Sequence, residues 1–390
     1  MHDPMERATA LLPQLTEWRQ YLHQHPELGT NLPMTCAFVE ARLREMGYDP
    51  QPICEGGLVA VLEGGKPGKT ILLRADMDAL PMDEENDHPF KSQNPGAAHT
   101  CGHDIHTAML LGAAKLLMED REELCGRVKF MFQPNEEGPG GALLMIESGI
   151  LENPHVDAAM GAHMIPMIPA GLGGSGTGVV SASSDHLVIR VEGRGGHGAH
   201  PQSTVDPINI GVHIHLALQE LLSREADPAE LVVLTFGKFQ GGDAANIIPS
   251  SAVLEGTLRT FSEPLRTHLL ERIDTICTCT AEAFRGRAQV TDLCSTCSLQ
   301  IDGDTAAAVA QGWQREGLKM LQRGEKMSGS EDFAEIAARV PSTFFVVGGG
   351  TAQDGCGVSL HNPKIRFREE ALIYGAAAYA SGAAMWLELH

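Results

Sequence analysis

From residue 11 to 47 apolar side chains recur at helical spacing, and the pattern breaks at HPELG (25–29), where Pro26 and Gly29 mark a loop between two helices. The rhythm then changes. Short apolar runs at 58–62, 71–73, 128–132, 156–161 and 344–347 read as strands, separated by helical stretches such as 107–118. That alternation predicts an α/β fold.

A stretch with different habits interrupts it. HLVIRVEG (186–193) alternates as a half-buried strand; a helix around 206–224, strands near 231–239 and 251–261, a helix at 263–285 and AQVTDL (288–293) follow. The order β-α-β-β-α-β is that of a ferredoxin-like unit, complete in itself. The chain therefore reads as a discontinuous catalytic domain, 1–183 and 299–390, carrying an inserted domain at 184–298, with GTGVVSASSD (176–185) as the hinge.

With 390 residues, 43% of them hydrophobic and 20% charged, the chain is long enough for two globular cores and lies far from the profile of disorder. A net charge of −21 disfavours nucleic acid, because no release of counterions would reward contact with a phosphate backbone. The apolar stretch at 371–387 is Ala/Gly/Ser-rich and too short for a bilayer, so a buried helix is expected there and no membrane partner. The amino-terminal residues do not have the form of a signal peptide, and nine irregularly spaced cysteines fit a reducing compartment; the expected location is the cytoplasm.

Polar clusters fall where strands end. ADMDALP (75–81) follows the run at 71–73, QPNEEG (133–138) that at 128–132, and GAHMIP (161–166) that at 156–160. In open α/β sheets ligands bind beyond the carboxyl ends of strands, so distant pieces of sequence converge on one place. HTCGHDIH (99–106) and SLHNP (359–363) add to it. Together they offer Cys101, His103, Glu136, Glu137, His163 and His361, with Asp76, Asp78 and Asp104 nearby. Thiolate, imidazole and carboxylate are the ligands of zinc and its first-row neighbours, and two cations need about this many. An acidic pair more often sits on a solvated surface, but Glu136-Glu137 follows an apolar strand and is flanked by Pro and glycines. Cys277 and Cys279, two apart on a predicted helix, point to different faces and do not make a second zinc site.

The blocks WRQYLHQHPELG (18–29), LRADMDALPM (73–82), HTCGHDIHTAMLLGAA (99–114), FQPNEEG (132–138), GRGGHGAHP (193–201), NIIP (246–249), GTLRTF (256–261), GSEDFA (329–334) and LHNPKIRFREE (360–370) occur in this order. In this the chain resembles, nearly end to end, the aminoacylase / carboxypeptidase G family of dinuclear metallohydrolases, in its amidohydrolase branch. The resemblance implies a metallopeptidase-like domain with a central mixed sheet flanked by helices, plus a ferredoxin-like lid and dimerisation domain. It implies two divalent transition metals (zinc, manganese, cobalt or nickel), Cys101 as the bridge, Glu137 and His361 completing one site, and His103 and His163 the other. Glu136 would be the general base acting on a metal-bridging water, Asp78 the acid behind a ligand imidazole, and His197 the residue that reaches the scissile carbonyl. Asn246 and Arg259 resemble substrate-binding positions. The block GGHGAHP departs from the family by carrying Gln202 after its Pro.

The expected activity is hydrolysis of small N-acyl amino acids to a carboxylic acid and a free amino acid. A dipeptidase or carboxypeptidase of the same family is the alternative. A binding protein without turnover would be expected to have lost the base or a ligand, and all are present. A homodimer through the inserted domain is also expected.

Overall fold

The computed structural model describes residues 3–322 and 326–390. The chain forms two compact units, one of Met1–Gly178, Gln300–Glu325 and Asp332–His390, the other of Val179–Leu299 and Lys326–Glu331. The sequence pattern assigns everything after 298 to the first unit. Lys326–Glu331 instead belongs to the second: Met327 N–H donates to Val180 O at 2.8 Å, and Ala182 N–H donates to Met327 O at 3.0 Å.

The first unit holds an eight-stranded sheet in the order Gln51–Cys54, Gly57–Glu63, Cys125–Gln133, Lys66–Asp76, Ala158–Ile165, Ser342–Gly348, Leu172–Ser175, Lys319–Gln322. The strands from Cys125–Gln133 to Ser342–Gly348 are parallel, and antiparallel neighbours on each side make the sheet mixed. Parallel strands are covered on both faces, which is why Ile71, Leu72, Leu73, Phe130, Met131 and Phe132 form continuous apolar runs and are all buried. Helices Pro4–Gln24, His103–Glu119, Gly303–Arg315 and Ala371–Leu389 share one core with the sheet. The last is the Ala-rich helix, buried along most of its length, and no described helix is long and apolar enough to cross a membrane. Because the four central strands run the same way, Gln133, Asp76, Ile165 and Gly348 end them at one edge of the sheet.

One strand is longer than its apolar run. Ala158–Ile165 continues past Met160 because Ser342–Gly348 stays paired with it as far as Gly348 opposite Ile165, so His163 stands within the strand rather than beyond it.

A buried polar clamp ties the amino-terminal helix to the loop after Lys66–Asp76. His23 Nδ1 lies 2.8 Å from Asp104 Oδ2 and its Nε2 3.2 Å from Glu84 Oε1, while Arg19 Nε donates to Asp104 Oδ2 at 2.7 Å. Burial and the Arg19 charge pull the His23 pKa down; Asp104 and the bonds to both carboxylates outweigh them and raise it above the ordinary imidazole value. Burial likewise opposes ionisation of Asp104 and Glu84, but their cationic partners hold both below the carboxylate range. A raised histidine contributes stability that is full below its unfolded value near 6.5 and is lost as pH climbs through the raised one; the carboxylates contribute above about pH 4 and lose it on acidification. His23→Gln is expected to cost about 3–5 kcal/mol, since it leaves buried carboxylates short of a cation, and to abolish the alkaline fall in stability. Calorimetry across pH 5–9 checks this; a variant with an unchanged alkaline limb contradicts it.

The second unit is an antiparallel sheet ordered Val232–Gly241, Ser251–Thr260, Ser184–Glu192, Arg287–Thr296. Helices Pro207–Glu220 and Glu263–Ala283 bury Ile210, Ile214, Leu269 and Ile273 against Leu187, Ile189 and Leu254. Asp206 caps the first by accepting from the N–H groups of Ile208 and Asn209. The strand order is that of the ferredoxin-like arrangement. Cys277 is buried in this core and Cys279 exposed, as opposite helix faces require.

Candidate active site

Three loops and one strand bring the ligand-type residues of the first unit together. Cys101 precedes helix His103–Glu119, and between them Gly102 turns with φ 95°, a conformation other residues rarely adopt; a Cβ there would stand 3.3 Å from that of Met164. In QPNEEGPGG, Asn135 is left-handed at φ 57° and its Nδ2 donates to Pro139 O at 2.9 Å. A Cβ at Gly141 would lie 2.2 Å from Pro134 O, so the loop closes on itself only with glycine there. His361 is also left-handed at φ 61°, and its N–H donates to Thr100 O at 3.0 Å. Non-glycine residues in this region are held by their surroundings, and such strain gathers at functional sites.

The side chains meet. Cys101 Sγ is 3.4 Å from His163 Nε2, and His361 Nε2 is 3.3 Å from Glu137 Oε1. His103 Nε2 lies 3.7 Å from Glu136 Oε2 and 3.9 Å from Glu137 Oε1. Cys101, His103 and His163 form one triad whose ligand atoms all fall within 4.8 Å of one another; Cys101, Glu137 and His361 form a second. The triads share Cys101.

Whether this set suits cations can be tested on the site itself. His103 Nε2 and Glu137 Oε1 are buried, yet no hydrogen bond satisfies either. A buried polar atom with charged neighbours but no hydrogen bond is costly, and a ligand atom aimed at a cation is the arrangement that explains it. The electrostatics agree. Burial works against a charged His103, yet Asp76 and Asp78 raise its pKa well above the ordinary value. Glu137 raises that of His361, and, against burial, His361 and His103 lower that of Glu137. The cluster favours positive charge at its centre. Burial pushes the Cys101 thiol up more than His103 pulls it down, so a thiolate there needs a cation beside it.

Asp78 lies behind His103 through both its main chain and its carboxylate. His103 Nδ1 is 2.8 Å from the Asp78 main-chain oxygen, while the carboxylate stands 3.6 Å away. That carboxylate also accepts from the N–H of Glu136 at 2.9 Å and of Glu137 at 3.1 Å, and so holds the acidic pair in place. Asp104 turns away from the cluster into the Arg19–His23 clamp.

In the second unit, Gly196–His197 pairs with Ile247–Ile248, and Gly198 N–H donates to Asn246 O at 2.8 Å, so His197 and Asn246 are neighbours and both are exposed. Ala199 N–H donates to His197 Nδ1 at 3.1 Å, which leaves the ring proton on Nε2 in the neutral form. Arg259 lies on Ser251–Thr260, where its Nη1 donates to Ser328 O at 3.1 Å.

Sequence reasoning passed over a buried network beneath the cluster. Arg74 donates to Asp76 and to Asp332, each at 2.7 Å, and Gln133 Nε2 also donates to Asp332. Asp332 lies 258 positions from Arg74, and although it falls in the block GSEDFA, nothing in the sequence pairs it with Arg74. His106 did carry one: three residues beyond His103 on a helix, it shares that face.

Fold and site together define a hydrolase with an α/β core and a metal-type ligand cluster at the carboxyl edge of its sheet. The profile of Peptidase family M20/M25/M40 matches residues 72–384, and the chain belongs to that family. It is 38% identical over 375 residues to IAA-amino acid hydrolase ILR1-like 4 of Arabidopsis thaliana, an alignment spanning 95% of this chain and 84% of the relative. To N-acetyl-L-cysteine deacetylase of Bacillus subtilis it is 36% identical over 361 residues, 92% of this chain and 85% of that one. Among solved structures, the Bacillus subtilis YXEP protein, described as a dinuclear metal binding peptidase from the M20 family, superposes with a TM-score of 0.83 at 32% identity, covering 97% of this chain and 99% of that one.

Proposed function

We propose that the protein hydrolyses the amide bond of small N-acyl amino acids, releasing a carboxylic acid and a free amino acid. The observation that carries this is the pair of triads sharing Cys101, with the Glu136 carboxylate outside both and grouped with His103 and Glu137. The printed activities of the relatives, on IAA-amino acids and on N-acetyl-L-cysteine, support the substrate class.

Cys101, His103, Glu137, His163 and His361 would hold two divalent transition metals, of which zinc, manganese, cobalt and nickel all suit the donor set; when bound, these would supply Lewis-acid polarisation and lower the pKa of a water. Glu136 takes the proton of the attacking water and passes it to the leaving nitrogen. Asp78 keeps Glu136 in position through the Glu136 N–H. His197 offers its Nε2–H to the oxyanion, Asn246 binds beside it, and Arg259 pairs with the substrate carboxylate through the nitrogens that Ser328 does not engage.

Two experiments test the reading. Exhaustive chelation is expected to abolish hydrolysis of N-acetyl and N-benzoyl amino acids, and a divalent transition metal to restore it; full activity in verified metal-free protein rules the site out. C-terminal amides of the same substrates are expected to react with kcat/KM lower by ~10- to 100-fold, because they lose the charge-assisted pair with Arg259, worth roughly 1–3 kcal/mol. Amides cleaved as fast as acids, or an unchanged kcat/KM in Arg259→Ala, remove Arg259 from the reading and leave a general amidase.

The second unit also supports a homodimer: Val232–Gly241 is an edge strand, and it and helix Pro207–Glu220 expose Val212, Leu216, Val233 and Phe239. All nine cysteines are free, which fits a reducing compartment such as the cytoplasm.

A further inference from the structure

In the first unit the ladder between Lys66–Asp76 and Ala158–Ile165 runs from Ile71 opposite Ala158 to Arg74 opposite Gly161, and there it stops. On its other side Ala158–Ile165 stays paired to its last residue. His163 and Met164 therefore lie where one ladder has opened. The two strands are joined there by a side chain, that of His106 from the first turns of helix His103–Glu119.

Met164 N–H donates to His106 Nε2 at 2.8 Å, and His106 Nδ1 lies 2.6 Å from Asp76 Oδ1. An Nε2 that accepts a main-chain N–H carries no proton, so the proton is on Nδ1 and is donated to Asp76. The ring thus takes the place of the missing main-chain rung, reaching from the last residue of one strand to the next strand. Its Nε2 is already engaged, which sets His106 apart from the imidazoles whose Nε2 faces the cluster. Asp76 is itself held: Arg74 Nη1 donates to its Oδ2 at 2.7 Å, and Thr107 Oγ1 donates to its main-chain oxygen at 3.0 Å. His106, Asp76 and Arg74 are all fully buried.

The main chain so held is the one that orients His163. His163 Nδ1 lies 2.6 Å from Met164 O, which places its proton there and turns Nε2 toward Cys101. The His106 and His163 rings also pack edge to face, with centroids 4.7 Å apart. We propose that His106 is a positioning residue for His163: by fixing the Met164 main chain between Asp76 and the sheet, it sets the affinity of one of the two cation sites without touching substrate. This rests on the reading of His163 as a metal ligand.

The test is a binding measurement on the full-length protein. Metal-stripped variants are titrated with Co²⁺ alone, ligand-field absorption following each equivalent and mass spectrometry counting the metal. His106→Leu removes both hydrogen bonds and is expected to bind one equivalent as the unaltered protein does and the other about 10–100-fold more weakly, the scale on which groups behind a ligand act. His106→Gln, whose amide can accept from Met164 and donate to Asp76, is expected to recover most of that loss. Should the Leu variant not fold, His106→Asn, too short to span the gap, carries the same expectation. Two equivalents bound as tightly in His106→Leu or His106→Asn as in the unaltered protein overturn the proposal, and so does a loss that His106→Gln fails to recover. His163→Ala separates the premise from the inference: it is expected to lose the same equivalent, and if it binds both tightly the ligand assignment falls and the proposal with it.

Discussion

Glu136→Gln is expected to retain two equivalents of metal and to hydrolyse N-acyl amino acids with kcat lower by roughly 10²–10⁴-fold, the contribution of a positioned general base. The substitution keeps the shape of the side chain, and the Glu136 N–H that donates to Asp78 is main chain and unaffected. The loop should therefore stay where it is. What changes is one atom, a carboxylate oxygen replaced by an amide that cannot accept the proton. Cys101→Ala is expected instead to lose metal, and activity with it, since both triads include Cys101 and neither closes without it. Metal analysis beside steady-state kinetics distinguishes the two. If Glu136→Gln lost metal while Cys101→Ala kept it, the assignments of base and shared ligand would have to be exchanged.

His197→Ala is expected to lower kcat by about 10²–10³-fold with little change in KM, as removal of an oxyanion donor does. With Nδ1 already accepting from Ala199 N–H, the Nε2 proton is the one available for donation. Truncation should leave the backbone intact, because the pairing of His197 with Ile247 is made by main-chain groups. His200 provides the comparison: its ring centroid is 5.5 Å from that of His197, and its own tie to that residue is a main-chain hydrogen bond. His200→Ala is expected to be nearly silent. Equal damage from the two substitutions would transfer the role to His200, and a rise in KM alone would make His197 a binding residue.

Much of this architecture could be read along the chain because it rests on local periodicity. The runs at 71–73 and 130–132 are apolar on both faces and became buried parallel strands; the alternation at 186–193 became the half-buried strand Ser184–Glu192. Leu172–Ser175 could not be read, since LGGS has neither alternation nor bulk and is a strand only through its neighbours. The extension of Ala158–Ile165 through His163 likewise depends on Ser342–Gly348, far along the chain. The ligand-type residues were legible as types, because thiol, imidazole and paired carboxylates are unusual after apolar strands. Their supports were less so. That the main-chain oxygen of Asp78 comes nearer His103 than its carboxylate does is a matter of loop conformation, and Asp332 reaches Arg74 only in the folded chain.

The sheet is assembled from both sides of the inserted unit, and this has a consequence for the order of events during synthesis. The strands Lys66–Asp76, Cys125–Gln133 and Ala158–Ile165 leave the ribosome before residues 179–299, whereas Ser342–Gly348, which covers the far edge of Ala158–Ile165, and His361 follow them. The inserted unit has its own core and can fold as soon as it emerges. For that interval the nascent amino-terminal segment presents an uncovered strand edge, Ala158–Ile165, rich in Ala and Met, to whatever is nearby. The cluster of ligand-type residues, which includes His361, is complete only after the inserted unit and the strand Ser342–Gly348 have been made. A chain cut before Ser342 would keep that edge open and lack His361, and is expected to aggregate rather than to be weakly active.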